Sequence, residues 1–209
     1  MQKTSTALED HRLGPNKTLN VIIMNQDHPD RFRGLYDPNT ESVVLYPNRG
    51  TSTTPHEVAH VYVDKHHGTL TQPKGGGVNE GFAKITAHRV TGDGGASPPS
   101  ADNVSDILDG TNCTPPSPGW KCNHDIGNLV FEAYETLVDE MGAHGSFDVY
   151  RKALSLIKGR ETPAALHRAA AEILEEDLPS TPPAFLPPIS DPFVLGDWEA
   201  WLLIYWTWC

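Results

Sequence analysis

One stretch in the first third of the chain constrains its architecture more than any other. Ser52-Thr53-Thr54-Pro55 supplies a helix start, with a threonine to cap the first turn and a proline at the first helical position. Gly68 supplies a stop. The spacing predicts a helix from about Pro55 to Asp64 or slightly beyond, and inside it stands His56-Glu57-Val58-Ala59-His60. Residues four apart on a helix lie one turn above each other, so both imidazoles point to the same side.

The flanking sequence predicts an α+β chain. Leu19 to Met24 reads as a buried strand, being short, β-branched and followed by the breaker-rich NQDHPD. Arg33 to Tyr36 and Ser42 to Tyr46 read as a hairpin around Asp37-Pro38-Asn39-Thr40, so a small, mostly antiparallel sheet is expected before residue 50. A Gly-rich loop, Gly75 to Gly77, is expected to lead into a second helix from about Asn79 to Val90, stopped by Gly92. Residues 93–121 read as a long surface loop. Leu129 to Met141 carries a helical apolar stripe closed by Gly142, and Ser146 to Lys158 repeats it through Phe147, Tyr150, Leu154 and Ile157. Thr162-Pro163 opens a further helix reaching about Glu176. The expected organisation is a polar segment 1–17, one domain over 18–176 and a Pro/Trp-rich tail 177–209. Within the domain, the sheet and the first two helices reach about residue 92, and a helical lobe covers 122–176.

Composition narrows the partners. The net charge of −11 comes without any run of Lys or Arg to neutralise phosphates, which argues against nucleic acid. No apolar stretch reaches the ~20 residues of a membrane-spanning helix, and Trp201 to Trp208 is the nearest approach. The start of the chain lacks the basic region and apolar core of a signal peptide. Cys113 and Cys122 bracket a Pro-rich loop and suit a disulfide in an oxidising compartment, whereas the odd count with Cys209 argues for free thiols. None of the three lies in the paired spacing of a thiolate zinc site.

Two neutral imidazoles on one helical face can bind one zinc at about 2.0–2.1 Å each. Glu57, beside His56, can reach an open fourth position and take the proton of a water there. By itself the pentapeptide fixes three positions and also occurs on ordinary solvated helices. A helix start, small apolar residues between the histidines and a candidate third ligand, Glu80, favour the metal reading. Two His and one carboxylate with an open position is the ligand set of a catalytic zinc rather than a structural one.

His56-Glu57-Val58-Ala59-His60, then nineteen residues, then Glu80 within Asn79-Glu80-Gly81-Phe82-Ala83, resembles the thermolysin-like gluzincin metallopeptidases. Asp64, Gly68, Gln72 and Gly76 fall at that family's offsets, and Asn128 to Leu137 and Val149 to Ala171 resemble its late helices. The resemblance covers roughly residues 33–90 and 123–174. It implies a compact zincin-like α+β fold with a small sheet over the motif helix and a helical C-terminal lobe. It also implies one zinc ion on His56, His60 and Glu80, with Glu57 as general base.

The family pattern is departed from in three places. Thr71 stands where the family has a tyrosine that steadies the tetrahedral intermediate, and Lys84 where it has an aspartate that orients the first histidine. A cation cannot accept that imidazole proton, so Asp64 is the substitute candidate, with a plain surface carboxylate as its other reading. The family's transition-state histidine finds its counterpart in His124, a few residues closer to the following helix than the family spacing. Tyr134 is a weaker candidate for the same task. The plain readings are a solvent-exposed loop histidine for His124 and core packing for Tyr134. His66, His67 and His88 have no spacing that demands function. The family's calcium-binding acids have no counterparts, and no calcium is expected.

The expected activity is that of a monomeric zinc endopeptidase acting on peptide or protein substrates, with an exposed strand of the hairpin pairing with the substrate. The resemblance favours a secreted or exported protein, and a delivered toxin is a rival reading that fits the short length and the missing signal peptide. The other rival readings are an aminopeptidase-like gluzincin and a zinc-binding module with little or no catalysis.

Overall fold

A computed structural model of the chain describes residues 19–68, 70, 73–93 and 119–177. The expected N-terminal segment, most of the 93–121 loop, Thr71, Cys113 and the 177–209 tail beyond residue 177 lie outside the described residues. The Cys113–Cys122 pairing does so as well.

Three strands come first: β1 (Asn20–Ile23), β2 (Gly34–Asp37) and β3 (Ser42–Leu45). The β2–β3 hairpin forms with Gly34 opposite Leu45 and Asp37 opposite Ser42. Its turn is held by Asp37, whose Oδ1 accepts the Asn39 N–H at 3.0 Å and whose Oδ2 accepts the Thr40 hydroxyl at 2.8 Å. The sheet order is β1-β3-β2, and β1 runs parallel to β3. The sheet is therefore mixed rather than mostly antiparallel. The chain leaves β1, crosses to the far edge to lay down β2, and returns through the hairpin to place β3 between them.

β1 is also not the buried strand that its composition suggests. Val21, Ile22 and Ile23 are 40%, 47% and 66% exposed. Their neighbour β3 contributes Val43 and Leu45 to a small core with Val61, because the following helix packs on β2 and β3.

That helix, α1 (Thr53–His67), ends where expected at Gly68, whose φ of 80° lets its N–H bond back to the Asp64 carbonyl at 2.8 Å. Its start lies slightly earlier than Pro55. The Thr53 hydroxyl accepts the Gly50 N–H at 3.1 Å and fixes the entry of the chain. Glu57 through Val63 form a continuous buried run because α1 is covered on both sides. Val61 faces the sheet, and Tyr62 and Val63 face a larger helical core.

The second helix, α2 (Pro73–Thr91), absorbs the expected glycine loop into its first turns. The reason is close packing against α3 (Gly119–Leu156). A Cβ at Gly77 would lie 2.2 Å from Ile126, and one at Gly81 would lie 2.5 Å from Val130. From the other side, a Cβ at Gly127 would lie 2.6 Å from the Glu80 Cβ. Glycine costs roughly 1 kcal/mol per helical position relative to alanine. Here that cost is offset by letting two backbones approach closely.

α3 begins within the stretch expected to be loop and runs continuously past Gly142. A straight helix would separate Tyr134 and Tyr150 by about 24 Å, at 1.5 Å per residue. Their ring centroids are 5.8 Å apart. The helix therefore folds back between them, where Gly142, Gly145 and Ser146 lie, and both halves face one core. The last helix, α4 (Pro163–Asp177), starts as expected, with the Thr162 hydroxyl accepting the Ala165 N–H at 3.1 Å. Its stripe Leu166, Ala169, Ala170, Ile173 and Leu174 completes the core. The whole is a mixed α+β arrangement, and no helix among the described residues is long and apolar enough to cross a membrane.

Candidate metal centre

His56 and His60 project from α1 toward Glu80 on α2. The three side chains present ligand atoms that all lie within 4.8 Å of one another and could hold a metal ion. His56 Nε2 is 3.2 Å from His60 Nε2 and 3.3 Å from Glu80 Oε2, and His60 Nε2 is 3.5 Å from Glu80 Oε1. Donors bound at about 2.0–2.1 Å in a tetrahedral arrangement are separated by about 3.3–3.4 Å. The two imidazole nitrogens are spaced like neighbouring ligands of such a tetrahedron, and each faces a different oxygen of the Glu80 carboxylate. Glu80 Oε2 is buried without a well-directed hydrogen-bond donor, an arrangement that a cation would relieve. The donor set therefore fits a metal ion.

The electrostatics favour ligand protonation states at Glu80 and His56 and oppose the neutral form at His60. Burial opposes the charge on Glu80, but His60, His56 and His124 outweigh it and hold the carboxyl well below its usual range. Burial lowers the pKa of His56, favouring the neutral imidazole that a metal needs. Burial also opposes the charge on His60, yet Glu80, Glu57 and Asn79 together raise its pKa.

His60 Nδ1 lies 2.9 Å from Asn79 Oδ1. With its proton on Nδ1, His60 donates to that amide oxygen and turns its Nε2 lone pair to the metal position. Sequence reasoning assigned Asn79 no role, although its place directly before Glu80 was a usable signal. Asp64, the expected substitute, is half-buried and accepts the Tyr36 hydroxyl at 2.9 Å. It ties α1 to β2, while Asn79 is the acceptor facing the second histidine, His60.

Glu57 is 5% exposed. Burial pushes its carboxyl up to about 7, against His60 and the Tyr36 backbone N–H, which favour the ionised form. The strand backbone comes very close here: a Cβ on Gly34 would stand 2.9 Å from Glu57 Oε1 and 2.7 Å from Thr53. Glycine at position 34 thus admits the carboxylate against β2.

His124 enters from the first turns of α3. Its Nδ1 is 3.4 Å from Glu80 Oε2, its side chain is 40% exposed, and its ring lies parallel to that of His56 at 6.5 Å. The tight α2–α3 contact brings it there. Tyr134 instead is fully buried among Phe131 and Tyr150, with its hydroxyl 3.5 Å from His88 Nδ1, which is the core-packing reading. His67 pairs with Glu161 at 3.2 Å, fastening the end of α1 to the segment before α4.

These groups line a cleft of about 680 Å³. One wall is the segment 31–36, the floor is His56, Glu57 and His60, and the far wall carries Glu80, Lys84 and His124. Such a cleft admits an extended segment of chain beside a metal position and a buried carboxylate. Compared with protein-family models, curated proteins and solved structures, the chain matches none of them.

Proposed function

We propose that this chain is a zinc-dependent endopeptidase with a zincin-like arrangement of sheet and helices. The observation that carries the reading is the triangle of His56, His60 and Glu80 donors, with Glu57 buried beside it in a cleft walled by a strand. Zinc on these three ligands would supply a Lewis acid that acidifies water and polarises the scissile carbonyl.

The remaining work falls to the chain's own groups. β2 bonds to β3 on one side, and its other edge faces α1 and the cleft. An extended peptide laid along that edge gains main-chain hydrogen bonds and presents one carbonyl beside Glu57. Glu57 takes a proton from the attacking water as the new C–O bond forms, and then returns it to the nitrogen as the C–N bond breaks. Buried in the cleft beside the metal position, one carboxyl can act first as base and then as acid. His124, partly exposed at the cleft wall, is placed to donate to oxygen as charge develops there.

The test measures zinc content and cleavage of a peptide library by wild type and Glu57→Gln. Stoichiometric zinc in both proteins with cleavage in the wild type alone is the expected result. Wild type without bound zinc, or Glu57→Gln with undiminished turnover, would overturn the reading.

A further inference from the structure

Lys84 is a half-buried cation on the wall of the cleft, its charge opposed by burial and supported by Glu80 and Asp125. It follows Glu80 by four residues on α2, so it lies one turn further along the same helical face, about 6 Å away by helix rise. Glu80, Lys84 and Ala87 all line the cleft, at the spacing of a single face. The side chain is half-buried. A metal ion on Glu80 would repel the ammonium and claim the Glu80 charge, leaving Asp125 as the other carboxylate that acts on it. An anion delivered into the cleft would restore the balance.

We propose that Lys84 forms a carboxylate-binding subsite next to the metal centre, so that preferred substrates carry a carboxylate within about one residue of the scissile bond. The distance sets this position. One residue of extended chain spans about 3.3–3.6 Å, and a further bond or two of side chain covers a separation of about 6 Å. The charge sets the ligand class. Asp30, Asp64 and Asp93 line the cleft against Arg31 and Arg33 on the strand side, so the carboxylates outnumber the cations, and Lys84 is the cation one turn from Glu80, suited to one singly charged group rather than a polyanion. Lysine binds such a group as a point charge, without the bidentate geometry of arginine, and accepts it from more than one direction. The carboxylate can come from an acidic side chain or from the substrate's own C-terminus. The two sources share the chemistry and differ in the peptide.

This inference rests on the peptidase reading, and its test separates the two. Zinc-loaded wild type, Lys84→Met and Lys84→Arg are compared on two pairs of peptides. One pair carries Glu or Gln beside the cleavage site with amidated ends. The other carries a free acid or an amide one residue beyond the site. N-acetyl-glutamate binding to the same three proteins is measured by calorimetry, with N-acetyl-glutamine amide, which carries no carboxylate, as the neutral control.

A charge-assisted contact corresponds to a preference of roughly 10- to 100-fold in kcat/KM for the carboxylate member of one pair. That pair identifies the source. Lys84→Met brings the ratio to near one and weakens N-acetyl-glutamate binding, and Lys84→Arg retains most of both. Equal cleavage within both pairs, with N-acetyl-glutamate affinity unchanged in Lys84→Met, overturns the subsite and leaves the peptidase reading standing. Carboxylate binding that depends on Lys84 without cleavage of any peptide supports the subsite and sinks the peptidase reading. Absence of both cleavage and binding overturns the two together.

Discussion

Asn79 Oδ1 stands 2.9 Å from His60 Nδ1, on the side of the ring away from the metal position. With the His60 proton on Nδ1, this contact orients a candidate ligand through a neutral amide, adding no further charge to a centre that already holds Glu57 and Glu80. Removing such a partner typically costs about 10- to 100-fold in metal affinity. Asn79→Ala is therefore expected to weaken zinc binding by that amount in a competition titration against a chromophoric chelator. Asn79→Asp keeps an acceptor and should retain most of the affinity. Equal affinity in wild type and Asn79→Ala would show that the contact does not orient the ring.

Glu80 closes the ligand triangle and joins α2 to α1. Metal that binds only the folded state stabilises it by about 2.7 kcal/mol at a free concentration of 100 times Kd. Zinc should accordingly raise the unfolding midpoint of wild type and shift it further with concentration. In Glu80→Ala that dependence should be largely lost. A denaturation series at several zinc concentrations checks this, and an undiminished dependence in Glu80→Ala would place the metal elsewhere.

Gly81 gives a test of sign. Helix propensity alone predicts that Gly81→Ala stabilises α2 by roughly 1 kcal/mol. Packing predicts the reverse, because the new Cβ would lie 2.5 Å from Val130. Overpacking of this kind costs about 1–3 kcal/mol. The net expectation is destabilisation, read from chemical denaturation. It should come with weaker metal binding, since Glu80 and His124 are carried by the two helices being forced apart.

His167 links stability to pH at a distance from the metal. Burial pushes its pKa down to about 4, and the Tyr150 hydroxyl lies 3.1 Å from its Nδ1. The unfolded chain binds that proton near pH 6.5 and the folded chain only near 4, so protonation favours unfolding. The stabilisation is complete above about pH 6.5 and falls as the pH drops toward 4, by roughly 2–3 kcal/mol over the window. Metal-free protein should show this slope by denaturation at several pH values. His167→Phe should flatten it, and an unaltered slope in that variant would assign the loss to other groups.

What was legible in the sequence follows from local rules. The α1 helix is set by its hydroxyl-proline start and glycine stop, the hairpin by Asp37 and its turn partners, and α4 by Thr162-Pro163. The four-residue spacing of His56 and His60 places both on one face of any helix, so two of the three candidate ligands were local geometry. These features depend on residues within one turn of each other, and neighbouring residues carry the whole signal.

The tertiary structure decided the rest. Gly75 to Gly77 read as a loop because glycine disfavours helix in isolation, yet α2 runs through them because α3 needs the space that side chains would fill. β1 reads as buried from its apolar residues, yet the helix that could cover it packs on β2 and β3. Gly142 reads as a helix end, and the chain uses that region to fold α3 back on itself. The metal centre divides along the same line. One turn of α1 determines that His56 and His60 face together, whereas Glu80 and Asn79 meet them through the packing of α2 on α1, and His124 through the close approach of α2 and α3 that glycines allow. Spacing along the chain specifies a face; the distance between two elements depends on every side chain packed between them, and no local pattern encodes it.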